Sequence, residues 1–160
     1  MDHAARRISL LLLALCGLAL SAGAGSLDAQ TSLRAEVEAL NARMVQAFRA
    51  DPASVARFYA DDAEIVGLGT RLQGRARVNE YWAAVTGATG WTLEIREVGG
   101  DRMSPWVRGV SRLTEQGGRV TEVEYLAILA RQPDGSLRYR IDMYTMGERR
   151  TPPAAPARPE

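Results

Sequence analysis

From Thr31 onward the apolar positions Leu33, Val37, Leu40, Met44 and Phe48 recur every three or four residues, the spacing of one face of an α-helix. Thr31 or Ser32 stands where a cap belongs, and residues 25–30 read as a small polar lead-in. Asp51-Pro52 closes this helix and opens a second, short one. The aspartate accepts first-turn N–H groups, and proline suits the first helical position because its missing N–H would go unpaired anyway. Val55, Phe58 and Tyr59 form the inward side of that second helix. Asp61-Asp62 reads as a corner, Ala63–Val66 as a strand, and Gly67-Leu68-Gly69 and Gln73-Gly74 as turns. Val78, Tyr81, Trp82 and Val85 return to helical spacing until Gly87–Gly90 break it.

Beyond that point the period changes to two. Trp91, Leu93 and Ile95 alternate with Thr92, Glu94 and Arg96, and Val107–Leu113 alternates again after Pro105. Proline cannot donate to a ladder, so it belongs at a strand start or edge. Gln116-Gly117-Gly118 turns the chain into Val120–Arg131, and Pro133-Asp134-Gly135 turns it into Leu137–Met146. Successive hairpins predict antiparallel pairing. Helices followed by a meander of long strands predict one α+β domain, over residues 31–148.

The ends have a different composition. Arg6-Arg7, the apolar run Ile8–Leu20 and Ala22-Gly23-Ala24 follow the order of a signal peptide, residues 1–24, with a second possible cut after Ala29. This predicts a periplasmic or secreted protein whose only membrane contact is through that segment. A lipoprotein reading through Cys16 fits less well, since Leu15 is large where a small residue is needed. Residues 149–160, rich in proline and poor in apolar surface, read as a disordered tail.

Processing would change the chemical inventory. The single His (His3) and single Cys (Cys16) leave with the first segment, and all 20 basic residues are arginines. Disulfides, Cys or His nucleophiles and lysine Schiff bases are thereby excluded, and a zinc site would lack its usual ligands. No metal and no cofactor is expected, and no nucleotide fingerprint is present. Arginines and acids come out equal in the processed chain, with no block of like charge, so nucleic acid is not an expected partner. Acid–base work falls to Asp, Glu and Tyr.

Three pieces of the chain are specific: Tyr59-Ala60-Asp61-Asp62-Ala63, the Gly74-Arg75 helix start, and Asp134-Gly135 with Asp142-Met143-Tyr144. In these the chain resembles the nuclear transport factor 2-like superfamily, and within it the SnoaL-like and ketosteroid-isomerase-like domains, over roughly residues 33–147. The resemblance implies a cone-shaped, curved and largely antiparallel sheet wrapped around N-terminal helices, in the cystatin-like manner, with a small-molecule pocket inside. It also implies a homodimer. Trp106 and Val110 share a strand face with Arg108 and Arg112, a mixture that suits an interface on the outer sheet face.

Matched by motif, the catalytic base of a ketosteroid isomerase falls on Gly67, its tyrosine donor on Arg43, and its second donor near Ala127. Ketosteroid isomerase chemistry is therefore not expected. SnoaL-like cyclases imply an acid/base aspartate, which matches Asp142. Strand parity opposes this: Leu137, Tyr139, Ile141 and Met143 form the apolar face, which leaves Asp142 outside with Arg138 and Arg140. A bulge would invert the parity. Tyr125 lies on the apolar Val123-Tyr125-Ala127-Leu129 face, as a core tyrosine or a catalytic partner of Asp142. Arg43, Tyr59, Trp82 and Tyr144 are candidate ligand-binding residues; for Arg43 a surface role competes, and for Trp82 a core role. Asp61 and Asp62 have a structural reading, as acceptors of backbone N–H groups at the corner.

Three functions fit. The first is an exported module that binds a small, largely apolar ligand. The second is a cofactor-free lyase, isomerase or cyclase with Asp142 as general acid/base. The third is a dimeric association module. An enzyme needs a carboxylate within reach of the cavity, whereas an association module would fill the cavity with its own side chains.

Overall fold

The structure is a computed structural model and describes residues 28–146. The expected signal segment, with His3 and Cys16, and the proline-rich tail lie outside the described residues.

Helix α1 covers residues 28–50 and so begins ahead of Thr31, and Gln30 belongs to the helix instead of a lead-in. Its buried stripe is Leu33, Val37, Leu40, Asn41, Met44, Ala47 and Phe48. Asp51 caps the next segment as expected, its carboxylate accepting the Ala53 N–H at 3.0 Å. That segment, Pro52–Phe58, winds as a 3-10 helix. There follow β1 (Tyr59–Gly67), β2 (Thr70–Gln73), α2 (Arg75–Ala83), β3 (Ala88–Gly100), β4 (Pro105–Glu115), β5 (Val120–Arg131) and β6 (Leu137–Met146).

Three local expectations are corrected. Tyr59 opens a strand and does not end a helix, so Asp61 and Asp62 lie inside β1 and not at a corner. Their carboxylates are held by arginines: Arg75 Nη2 lies 2.7 Å from Asp61, and Arg140 Nε lies 3.1 Å from Asp62. Gln73, read as part of a turn, ends a strand, Thr70–Gln73, that pairs with β1. And β3 starts at Ala88, because Gly87, in the left-handed region, is enough to end the preceding turn.

The six strands form one curved, unclosed sheet in the order β2-β1-β6-β5-β4-β3. Hairpin neighbours are antiparallel, and β1 and β6 run parallel in the middle of the sheet. Both helices pack on the inner face, where Val37, Leu40, Met44, Val78 and Trp82 meet Ile65, Val107, Ala127, Leu129 and Tyr139 in one core. Arg75 anchors the entry to the sheet. Besides Asp61, it donates to the Ala56 carbonyl at 3.1 Å and the Tyr59 carbonyl at 2.8 Å, while the Gly74 N–H reaches the Ala63 carbonyl at 2.8 Å. The Tyr-Ala-Asp-Asp-Ala and Gly-Arg motifs are thus two halves of one clamp.

Two glycines make room for aromatic rings. A Cβ on Gly109 would collide with the Glu94 carbonyl and lie 2.8 Å from the Tyr125 ring. A Cβ on Gly67 would collide with the Tyr144 carbonyl and lie 2.8 Å from its ring. Because backbone atoms are among the neighbours, a side-chain rotation cannot relieve either clash. Gly109→Ala is therefore expected to cost roughly 1–3 kcal/mol, measured by urea unfolding, and to displace the Tyr125 ring.

Candidate functional site

The site begins with an irregularity in β6. Leu129 pairs with Tyr139 and Ile128 with Ile141, so Arg140 has no opposite number on β5. This bulge reverses the alternation that the sequence predicts. Leu137 and Tyr139 point inward as expected, but beyond Arg140 it is Asp142 and Tyr144 that face inward, and Ile141 and Met143 that face outward. Met143 is 37% exposed. The outer-face reading of Asp142 is overturned, for the reason that one extra residue re-aims all later side chains.

Asp142 borders a cavity of about 240 Å³ between the helices and the inner face of the sheet. All five tyrosines of the chain, Tyr59, Tyr81, Tyr125, Tyr139 and Tyr144, line this cavity, together with Trp82 and Trp91. Leu68, Val85, Leu93, Leu113 and Val123 supply aliphatic wall. No arginine lines it, so Asp142 has no opposite charge in the wall. Its partner is a phenol: the Tyr59 hydroxyl donates to Oδ2 at 2.7 Å. Burial raises the carboxyl from its ordinary 3.8 to about 6, and the Tyr59 hydrogen bond, which favours the ionised form, offsets only part of that.

Other polar groups are tied in pairs. The Tyr139 hydroxyl donates to Asn41 Oδ1 at 2.7 Å, and Asn41 Nδ2 donates to the Tyr125 hydroxyl at 3.2 Å. The Tyr81 hydroxyl donates to Tyr144 at 3.4 Å, and Trp91 Nε1 donates to Ser111 at 2.8 Å. Burial pushes Tyr125 up to about 12, and burial with the nearby Asp142 charge pushes Tyr59 far above its usual range. Burial raises Tyr81 and Tyr139 as well, so these four tyrosines stay neutral at ordinary pH. Trp82 packs its ring 5.0 Å from Trp91 and 6.2 Å from Tyr59, centroid to centroid, and its Nε1 has no partner among the described residues.

The cavity therefore gathers Asp142, Tyr125, Tyr59, Trp82 and Tyr144, five of the candidate residues. It does not include Arg43, which is exposed on the far side of α1 beside Gln46 and Arg57. The inward positions are Asn41 and Met44, and Arg43 falls off that stripe. Tyr139 and Trp91 are additions to the wall, as is Asn41 behind it through its bonds to Tyr125 and Tyr139. Asn41 had a signal: it stands four residues after Val37 and three before Met44, a polar residue on an apolar stripe. Of the ketosteroid isomerase positions, Gly67 lies under the Tyr144 ring and Ala127 is buried opposite Asp142 in the β5–β6 register.

Solved structures share this architecture. A ketosteroid isomerase-like protein from Erwinia carotovora atroseptica matches with a TM-score of 0.58 at 26% identity, over 69% of this chain and 93% of that one. A Mycobacterium tuberculosis protein of unknown function matches with a TM-score of 0.63 at 21% identity, over 74% and 73%. An NTF2-like protein from Pseudomonas putida, also of unknown function, gives 0.57 at 17%, over 72% and 87%. No family model matches the chain, and no curated protein does. The chain shares the nuclear transport factor 2-like fold of these structures, with a small pocket on the inner face of its sheet.

The raised Asp142 carboxyl makes stability depend on pH in a defined direction. Between 3.8 and about 6 the folded protein keeps a proton that the unfolded chain has released. This contribution is complete below 3.8 and is lost as pH rises through about 6. Asp142→Asn should remove that slope and leave the protein more stable at neutral pH, by roughly 2–3 kcal/mol, in urea unfolding at a series of pH values. Tyr59→Phe deletes the donor that favours the carboxylate, so the Asp142 pKa should rise further, as followed by carbon-13 NMR of the carboxyl.

Proposed function

We propose that the cavity binds a small, largely apolar and uncharged ligand, and that Asp142 acts on it as a general acid/base. The observation that carries this reading is a single carboxyl of raised pKa, held by Tyr59, at the wall of an aromatic cavity with no basic group in that wall. An efficient base has a pKa near the working pH, and burial is how a carboxyl reaches that range. The chemistry is a proton transfer in a lyase, isomerase or cyclase type of reaction, with Tyr125 and Tyr144 as hydrogen-bond partners for the ligand. An association module with a cavity filled by its own side chains is disfavoured by the open volume beside Asp142.

A ketone with exchangeable α-hydrogens tests the base without knowledge of the natural substrate. In deuterium oxide the protein should accelerate exchange into cyclohexanone, followed by proton NMR. Asp142→Asn should lower that rate on the order of a hundredfold or more while leaving ketone affinity nearly unchanged. Binding without exchange would reduce the protein to a binding module.

The outer sheet face supports the homodimer reading. Trp106, Ile128 and Ile141 stand in one row across three strands, and Leu126, Met143 and Val66 in the next. Ion pairs flank them, among them Arg108–Glu97 at 3.0 Å and Arg71–Glu64 at 2.6 Å. Leu126→Glu is expected to convert a dimer into a monomer by sedimentation, with the fold intact. A wild-type protein that is monomeric at micromolar concentration would remove the dimer.

A further inference from the structure

Seven of the ten aromatic residues of the chain line the cavity that holds Asp142. Their planes are steeply inclined to one another. Trp82 meets Tyr59 at 49°, Trp91 at 53° and Tyr81 at 88°, and Tyr59 meets Tyr139 at 45°. Rings inclined in this way stand as walls, whereas parallel stacking would close the space between them. Ring faces carry negative potential and attract cations. The chain does not fill this wall with a cation of its own. Among the described residues the arginine–ring contact, Arg57 over Phe58 at 5.0 Å, lies outside the cavity, and no arginine lines the wall.

Asp142 adds a full negative charge to the same enclosure when it ionises. Tyr59 donates to it at 2.7 Å, but a phenol steadies a carboxylate without neutralising it. An uncharged ligand leaves that charge as it is, whereas a cation cancels it. The kind of cation follows from the donors and acceptors of the wall. Metal ions take several oxygen ligands, and no group of three or more His, Cys, Asp or Glu gathers among the described residues. A primary ammonium brings three strong donors, each of which needs an acceptor. The wall supplies one carboxylate, and the hydroxyls of Tyr59, Tyr81, Tyr125 and Tyr139 are already tied in hydrogen bonds. An ammonium fully substituted with methyl groups has no donor to satisfy and spreads its charge over an apolar surface. It is therefore the cation that costs least to enclose here.

We propose that the cavity is also a receptor for a small quaternary ammonium cation, held by the carboxylate of Asp142 and the aromatic rings around it. This goes beyond the proton-transfer reading, which concerns an uncharged ligand. A quaternary ammonium has no N–H proton to exchange with Asp142, so it would occupy the cavity unchanged and compete with the uncharged ligand. The titratable groups that face Asp142 are phenols: Tyr59 from β1, Tyr81 from α2, Tyr125 from β5 and Tyr139 from its own strand, all raised by burial, with Tyr144 on the same wall. From α1 come Met44 and Asn41, neither of which titrates. Cation binding should thus strengthen as pH rises through about 6, where the carboxyl ionises.

Choline and 3,3-dimethylbutan-1-ol test this, since they match in shape and differ in that a charged nitrogen replaces a carbon. Both are read through the fluorescence of Trp82 and Trp91, which line the cavity, with sodium chloride at equal ionic strength as the blank. Well above the Asp142 pKa, choline should bind roughly tenfold more tightly than the alcohol. Its N-methyl proton signals should move upfield under the ring currents of the wall. Well below that pKa most of the preference should vanish. Bound choline should also lower the Asp142 pKa, followed by carbon-13 NMR of the carboxyl. Asp142→Asn should bring the two affinities together at every pH, with urea unfolding to check that the variant is folded. Equal affinities in the wild type at high pH would overturn the inference. A choline preference that survives Asp142→Asn, or bound choline without an upfield shift, would overturn it too. So would binding of neither probe. The proton-transfer reading stands or falls separately, on deuterium exchange into cyclohexanone.

Discussion

A carboxylate facing an aromatic cavity without a countercharge is the constraint on which the rest of this structure depends. It exists because β1 and β6 are irregular at the same place. β6 carries Arg140 as an extra residue, and the parallel register of β1 against β6 shifts between Tyr59 and Glu64. Without the bulge Asp142 would join Arg138 and Arg140 on the outer face, and Ile141 and Met143 would fill the cavity. With it, the inner face gains one acid and one tyrosine and gives up two apolar side chains. The outer face receives those two and becomes the more apolar for it. One inserted residue therefore shapes the site and the opposite surface together.

Holding Asp142 in place falls to Tyr59, and holding Tyr59 falls to Arg75. The guanidinium fixes the end of the 3-10 helix, the Tyr59 carbonyl and Asp61 at once, so the tyrosine enters the sheet at one angle. Its hydroxyl then meets Asp142 at 2.7 Å. The two acids of the Tyr-Ala-Asp-Asp-Ala motif work at a distance from the cavity, as partners of Arg75 and Arg140. Asp61 thereby helps to hold Tyr59, and Asp62 ties β1 to the bulged residue of β6. The glycines complete this arrangement. Where a ketosteroid isomerase would carry its base, Gly67 lies under the ring of Tyr144, so the room that a carboxylate would need is already used.

Much of the fold was legible because hydrophobic periodicity is a direct record of burial. The limits of β5 and β6 coincide with the alternating runs Val120–Arg131 and Leu137–Met146, and the stripe of α1 is the one that the spacing of Leu33 to Phe48 describes. What failed to show was whatever breaks a period. Arg140 leaves no mark in composition that separates a bulge from an ordinary outward arginine, so the parity argument placed Asp142 on the wrong face. Asp61-Asp62 suggested a corner because local propensity favours turns there, but the strand that runs through them and two arginines outweighed that preference. Arg43 flanks the apolar stripe of α1, so a family position argued for the cavity and its spacing for the surface, and the surface reading holds. Asn41 was overlooked because it interrupts an apolar pattern that otherwise reads cleanly.

The electrostatics of the cavity narrow its chemistry further than its shape does. With a pKa of about 6, Asp142 is mostly ionised at neutral pH and is therefore poised as a base before it is an acid. In the proposed reaction, proton abstraction would leave negative charge on the ligand, next to a carboxyl that had just become neutral. That exchange conserves the charge of the cavity, which is what an enclosure without a basic side chain in its wall can tolerate. The developing charge then needs donors, and the wall offers phenols whose own acidity burial has suppressed, so that they share protons without surrendering them. Tyr59 favours the ionised acid, and in the proposed reaction Tyr125 would favour the ionised ligand after the transfer. A cavity whose polar groups are almost all neutral donors and whose single acid titrates near pH 6 is suited to moving one proton within a neutral molecule.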